Sequence, residues 1–206
     1  MTSYPRRDPV EDRLLTPENS ALLVIDYQPT QISSIRSIDH PTLINNIEMT
    51  VKLAQAYQVP IILSTVNVAT GRNKDTVPQL KKLLEGTPTI DRTSINAWQD
   101  QDFVEAVKNT GRKHLVMAAL WTEACLTFPA LDALREGYYV HPVVDAVGGT
   151  SVVAHETALS RIAQAGAELT TNAQLACEWQ RDWNRTATVP DFVQLLLGAG
   201  DFISLE

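Results

Sequence analysis

Cysteine is scarce in this chain: Cys125 and Cys177 are the two among 206 residues. They stand at no metal-ligand spacing and are too few for the disulfide framework of a small secreted domain, so reduced thiols and a cytoplasmic location are expected. Excess positive charge is absent too. Seventeen Lys and Arg against 24 Asp and Glu leave a net charge of −7, which argues against a general binder of nucleic acid or anionic membrane, since either needs a basic face. No apolar run approaches the roughly 20 residues that span a bilayer, and the opening MTSYPRRDPVEDR lacks the apolar core of a signal peptide. DYQPTQ, after the first apolar run, has no G-x-G-x-x-G, which makes a dinucleotide-binding protein a poor fit. His40, His114, His141 and His155 are scattered in no ligand pattern, each better read as a surface or satisfied structural histidine, so neither a catalytic metal nor a cofactor is expected.

What is present alternates between two periods. Residues 1–18, polar and carrying Pro5, Pro9 and Pro17, read as an irregular arm over the surface or a neighbouring subunit, where order would imply a partner. Residues 19–206 suffice for one sizeable α/β domain. SALLVIDYQ begins it with a buried strand, Ala21 to Ile25, followed by a connection to Ser37. Asp39 and Pro41 mark a helix start, Leu43, Ile44, Ile47, Val51 and Ala54 form its stripe, and Pro60 requires it to end near Gln58. PIILSTVN is strand two, VPQLKKLLEG a short helix, PTIDR strand three, and QDFVEAVKNTG a helix capped by Asp100. Leu115 to Leu120 is strand four. YYVHPVVDAVGGTS reads as strand five, with Pro142 favouring an irregular end or a bulge. A helix over 152–165, a short sixth strand AELTT, and helical patterns at 172–183 and 191–197 complete the chain. Six alternations predict a three-layer α/β sandwich, a six-stranded, mostly parallel sheet flanked by helices and joined by right-handed crossovers.

The chemistry centres on HLVMAALWTEACLTFPALDALREG. Cys125 falls at a strand-to-helix turn, where ligands bind in open α/β sheets and where unpaired helix N–H groups can lower a thiol pKa toward thiolate. A lone cysteine near a strand is more often packing than catalysis. The balance shifts because Asp26 and Arg92 also follow short apolar runs and reach the same sheet edge. Asp26 alone is equally a turn former, and Arg92 alone a surface or structural ion pair. Together, a carboxylate can take a thiol proton and return it to a leaving group, a fixed cation can keep that carboxylate ionised, and N–H groups at the helix start can hold an oxyanion. Tyr27, Trp98 and Trp121 are candidates for a substrate pocket, with core or subunit packing as the plainer reading of the tryptophans. Trp179 and Trp183, at i, i+4, read as packing, and Cys177 as structural.

LLVIDYQ, RTSINAW and AALWTEACLTFPALDALREGYYVHPVVDAVGG, in that order, resemble the isochorismatase-like cysteine hydrolase family and especially its YcaC-like branch. The likeness runs from about Asn19 onward. It implies a six-stranded parallel sheet, Cys125 as nucleophile, Asp26 as general base, and a cation that is usually Lys in the family and is Arg92 here. It also implies a non-proline cis peptide at Leu120–Trp121, an oxyanion hole from the backbone N–H groups of Trp121 and Cys125, and a homo-oligomer, with an octamer among its forms. Arg cannot share a proton as Lys can, so it positions and stabilises charge only. Nicotinamidases of the family bind a metal through Asp-x-His; this chain has Asn67 after strand two and no such pair. The expected activity is hydrolysis of a small amide or related C–N compound through a thioester. The alternative is a non-catalytic ligand-binding or redox-sensitive thiol protein of the same fold.

Overall fold

The structure, a computed structural model, describes residues 6–200; the first five residues of the expected arm lie outside it. Five strands form one parallel sheet: β1 (Ser20–Ile25), β2 (Ile61–Val66), β3 (Thr89–Arg92), β4 (His114–Ala119) and β5 (Tyr139–Pro142), in the order β3-β2-β1-β4-β5. β1 and β4 are buried along their whole length, as near-continuous apolar runs covered by helices on both faces should be. Ile25 pairs with Ser64 of β2 on one side and Ala119 of β4 on the other. From β1 the chain builds outward to β2 and β3, then returns to place β4 and β5 on the opposite side. Open α/β sheets bind their ligands beyond the carboxyl ends of the strands at such a reversal of order, which here falls between β1 and β4.

The sixth strand expected from AELTT is not formed. The Glu168 N–H donates to Val140 O (2.9 Å), the Thr170 N–H to Pro142 O (2.9 Å), and the Val144 N–H to Thr170 O (2.8 Å). The next rung would need an N–H from residue 142, and proline has none. The ladder is thus interrupted, leaving the single bridge Val143 to Thr170. Pro142 was legible as a disturbance of its own strand; its effect falls on the neighbour.

Helices α1 (Pro29–Ser34), α2 (His40–Ala56), α3 (Pro78–Leu83), α4 (Gln101–Asn109), α5 (Thr127–Arg135), α6 (Val152–Gln164), α7 (Asn172–Gln180) and α8 (Val189–Ala199) complete the fold. Asp39, Asp100, Ser151 and Thr171 accept from the backbone N–H three residues on and so cap α2, α4, α6 and α7, each worth about 1 kcal/mol. The segment after Pro29, expected as a plain connection, makes the short α1 with Pro at its first position and Ile32 buried. The described part of the arm, from residue 6, bonds to its own chain. The Leu15 N–H donates to Glu178 Oε2 (2.6 Å), and Arg181 donates to Asp12 Oδ2 (2.9 Å) and Leu15 O (3.0 Å).

Candidate active site

Asp26 follows β1 with φ 62, a left-handed conformation that costs a residue with a Cβ about 1–2 kcal/mol and that Asp tolerates better than most. The turn is held by Asp26 N–H to Ser64 O (3.0 Å) and Gln28 N–H to Asp26 O (2.8 Å). Arg92 ends β3 and extends over β2 to meet it. Nη1 donates to Asp26 Oδ1 (2.8 Å), Ser64 Oγ (3.0 Å) and Thr65 O (3.1 Å); Nη2 donates to Asp26 Oδ2 (2.8 Å) and Ile95 O (3.2 Å). Both side chains are fully shielded from solvent. Burial alone would lower the Arg92 pKa, but the hydrogen bonds and charge of Asp26 outweigh it and raise it. Removing one partner of such a pair costs about 3–5 kcal/mol because the other is left charged and buried.

Cys125 lies in a π-helical turn, Thr122–Leu126, between a cis Leu120–Trp121 peptide and α5. The wide turn is closed by Leu126 N–H to Trp121 O (3.1 Å), a five-residue return. The Asp26 carboxylate and the Trp121 backbone N–H both stand close enough to the sulfur to act on its ionisation, the first against thiolate and the second for it. Burial, then the Asp26 charge, push the thiol up to about 12, against the opposing pull of Arg92. The expected shift toward thiolate is therefore reversed: a helix start contributes partial charges, whereas the thiol is only 6 % exposed and stands beside a full negative charge.

The turn is clamped from the other side. Glu123 Oε1 accepts from Thr150 N–H (3.0 Å) and Oγ1 (2.6 Å), Thr122 Oγ1 and His155 Nδ1 are 2.9 Å apart, and the Thr122 N–H donates to Gly148 O (2.9 Å). Gly149 permits this approach, since a Cβ there would lie 2.7 Å from Glu123 Oε2 and 3.1 Å from the His155 Cα.

Of the expected pocket residues, Trp121 lies at the site, its indole N–H donating to Ser34 Oγ of α1. Tyr27 and Trp98 are held in the packing. Tyr27 is fully buried with its hydroxyl on Ala146 O, so it belongs to the core. Trp98 donates to Glu136 Oε1 (2.9 Å) and packs edge-on to Tyr138 and Phe103. Glu136 directly follows α5, at the end of that helix away from Cys125. Trp179 is fully buried, whereas Trp183 and Cys177 are exposed. His114, the first residue of β4, and His141, the third of β5, pair Nδ1 to Nε2 at 3.0 Å; His114 lies at the opposite end of β4 from the turn that carries Cys125. Residue patterning missed Ser64, the Ile95 carbonyl and the Glu123–Thr150 clamp. A serine and threonine inside the otherwise apolar PIILSTV were a visible signal for the first.

The fold is that of an α/β protein with a parallel sheet flanked by helices, and residues 20–174 match the isochorismatase domain: the chain belongs to the isochorismatase family of hydrolases. It is 42 % identical to the probable hydrolase YcaC of Escherichia coli over 170 residues, covering 82 % of this chain and 81 % of that protein. The crystal structure of the E. coli YcaC gene product, described as an octameric hydrolase of unknown specificity, superimposes with a TM-score of 0.81 at 36 % identity over 92 % of this chain and 98 % of that one. YcaC from Pseudomonas aeruginosa, with hexane-2,5-diol and covalent acrylamide, gives 0.81 at 34 % identity over 91 % and 98 %.

Proposed function

We propose that the protein is a cysteine-dependent hydrolase that cleaves the C–N bond of a small amide or related compound and carries the acyl group as a thioester on Cys125. The carrying observation is the shielded Asp26–Arg92 pair close to the Cys125 sulfur. A thiol at about 12 would cost about 7 kcal/mol to ionise beforehand at pH 7, so its proton moves to Asp26 as the sulfur attacks the carbonyl carbon. The carbonyl oxygen takes up the electron pair and accepts from the Trp121 and Cys125 backbone N–H groups. Collapse of that intermediate breaks the C–N bond, and Asp26 returns the proton to the leaving nitrogen. Water then attacks the thioester, giving a proton to Asp26 and its hydroxyl to the acyl carbon, and the proton returns to the departing sulfur. Arg92 holds Asp26 in place throughout and takes no proton itself. The covalent acrylamide named for the P. aeruginosa relative fits a thiol that meets small amide-bearing compounds. Free thiols on both cysteines suit a cytoplasmic setting, and the octameric E. coli relative supports a homo-oligomer.

Intact-protein mass spectrometry with a panel of small amides, beside a Cys125→Ala variant, tests this reading. A substrate-sized adduct on the wild type and none on the variant is expected; turnover of a verified amide by Cys125→Ala would overturn it. A redox-sensor role gains no support, because a thiol held protonated is a poor target for oxidation.

A further inference from the structure

The chain carries a net charge of −7, yet one hollow in it is lined with the opposite balance. A cavity of about 750 Å³ is bounded by the segment 74–78, α3 and the residues 84–89 that lead into β3. That volume falls within the roughly 300–1,000 Å³ of small-molecule sites. Lys74, Lys81 and Lys82 line it against Asp75 and Glu85, an excess of one positive charge. Lys81 is paired with Asp75; among the described residues, neither Lys74 nor Lys82 is in an ion pair. Pro29, Leu63 and Leu84 add an apolar lining, and apolar walls with a few polar groups are the usual make-up of such a site. The Thr76 hydroxyl, buried at the wall, has no hydrogen-bond partner, and a shielded polar group without one is uncommon enough to call for a partner from outside the chain. The wall is also fixed in place. The Val77 N–H donates to Tyr27 O (3.0 Å) and Gln28 Nε2 to Lys74 O (2.7 Å), which ties segment 74–77 to the residues that follow β1.

We infer that this cavity binds a small carboxylic acid as its anion, with the carboxylate held by Lys74 and Lys82 and a short apolar body against Pro29, Leu63 and Leu84. Lysine carries its charge on a flexible stem with three rotatable donors, so two can turn to one carboxylate. An excess of one positive charge matches a monoanion; a phosphate monoester carries about −1.5 to −2 at pH 7 and exceeds it. None of Asp26, Arg92 and Cys125 lines the cavity, so the site is separate from the candidate active site and does not depend on Cys125 being a nucleophile.

Saturation-transfer NMR on the full chain, with hexanoate as the probe, tests this site without a substrate. Hexan-1-ol supplies the apolar body without the charge, and hexyl phosphate the same body with more charge. Lys74→Gln and Lys82→Gln, singly and together, remove the cations; both side chains are exposed, so folding should be retained and is checked by circular dichroism. Lys108→Gln, exposed on α4 and outside the cavity, controls for net charge. The expected result is saturable binding of hexanoate, weakened about fivefold in the double variant, the scale of a lost exposed charge pair, and unchanged in Lys108→Gln. No saturable binding, equal affinity in wild type and double variant, or an equal loss in Lys108→Gln would overturn the site. Hexan-1-ol matching hexanoate would overturn the choice of an anion, and hexyl phosphate matching or exceeding it the choice of a carboxylate.

Discussion

Lowering the pH from 7 to 5 should remove about 2 kcal/mol of stability through one buried imidazole. His114 and His141 are shielded, stacked with ring centroids 5.1 Å apart, and joined Nδ1 to Nε2 at 3.0 Å. Burial, then the proximity of His114, push His141 down to about 3; burial pushes His114 down against the pull of Glu168, Glu178 and Asp12. In the unfolded chain each imidazole titrates near 6.5, so between that value and 3 the unfolded state holds the extra proton on His141. Stability is therefore fully present above about 6.5 and falls by about 1.4 kcal/mol per unit below it, which gives about 2 kcal/mol at pH 5. Asp12 and Asp91, whose values are lowered because hydrogen bonds outweigh burial, lose their contribution only as the pH nears 4 and below, so the window from 7 to 5 isolates histidine. Urea unfolding at pH 7, 6 and 5, on the wild type and on His141→Gln, measures it. The variant should start less stable at pH 7, by about 1 kcal/mol for the lost hydrogen bond, yet lose about 2 kcal/mol less on acidification. Equal pH slopes in the two proteins would refute the claim that the folded state keeps His141 neutral.

Three further outcomes follow from the site. Arg92→Met leaves the Asp26 carboxylate buried without its cation and should destabilise by about 3–5 kcal/mol, while Arg92→Lys, keeping charge but not the planar fork, should lose about 1–3; a Met variant with wild-type denaturant stability would contradict the pairing energetics. Gly149→Ala drives a methyl against Glu123 Oε2 and the α6 backbone and should cost about 1–3 kcal/mol, read from the shift of the urea midpoint. Iodoacetamide should label the exposed Cys177 first and Cys125 slowly at pH 8, with the Cys125 rate still climbing above pH 9; a plateau below pH 8 would show a preformed thiolate and remove the need for proton transfer during attack.

The parts of the fold readable from sequence were those set by local pattern. β1 and β4 are unbroken apolar runs because both faces are covered, and the caps at Asp39 and Asp100 act within one turn. That Asp26, Arg92 and Cys125 come together followed from strand ends sharing an edge. What escaped depends on atoms distant in the chain. Pro142 denies a hydrogen bond to a segment 26 residues later. The thiol is shifted by burial and by Asp26, neither of which its neighbours in sequence reveal. Tyr27 and Trp98 stand beside a strand end and a site residue, where an aromatic ring can face a pocket or the core, and the partners that hold them, Ala146 and Glu136, lie far off in the sequence.

β3 is the outermost strand on its side of the sheet and is four residues long, its first residue exposed. Such edges ordinarily fray, opening and closing far more often than the whole molecule unfolds. Here the last residue of that edge is Arg92, whose guanidinium passes over β2 to grip Asp26 at the end of the central strand. Peeling β3 away would abandon a buried carboxylate, so the penalty for a lost charge is charged against a local fluctuation and makes it rare. The side chain that neutralises the buried acid thus also acts as the seam that keeps the border of the sheet from unravelling.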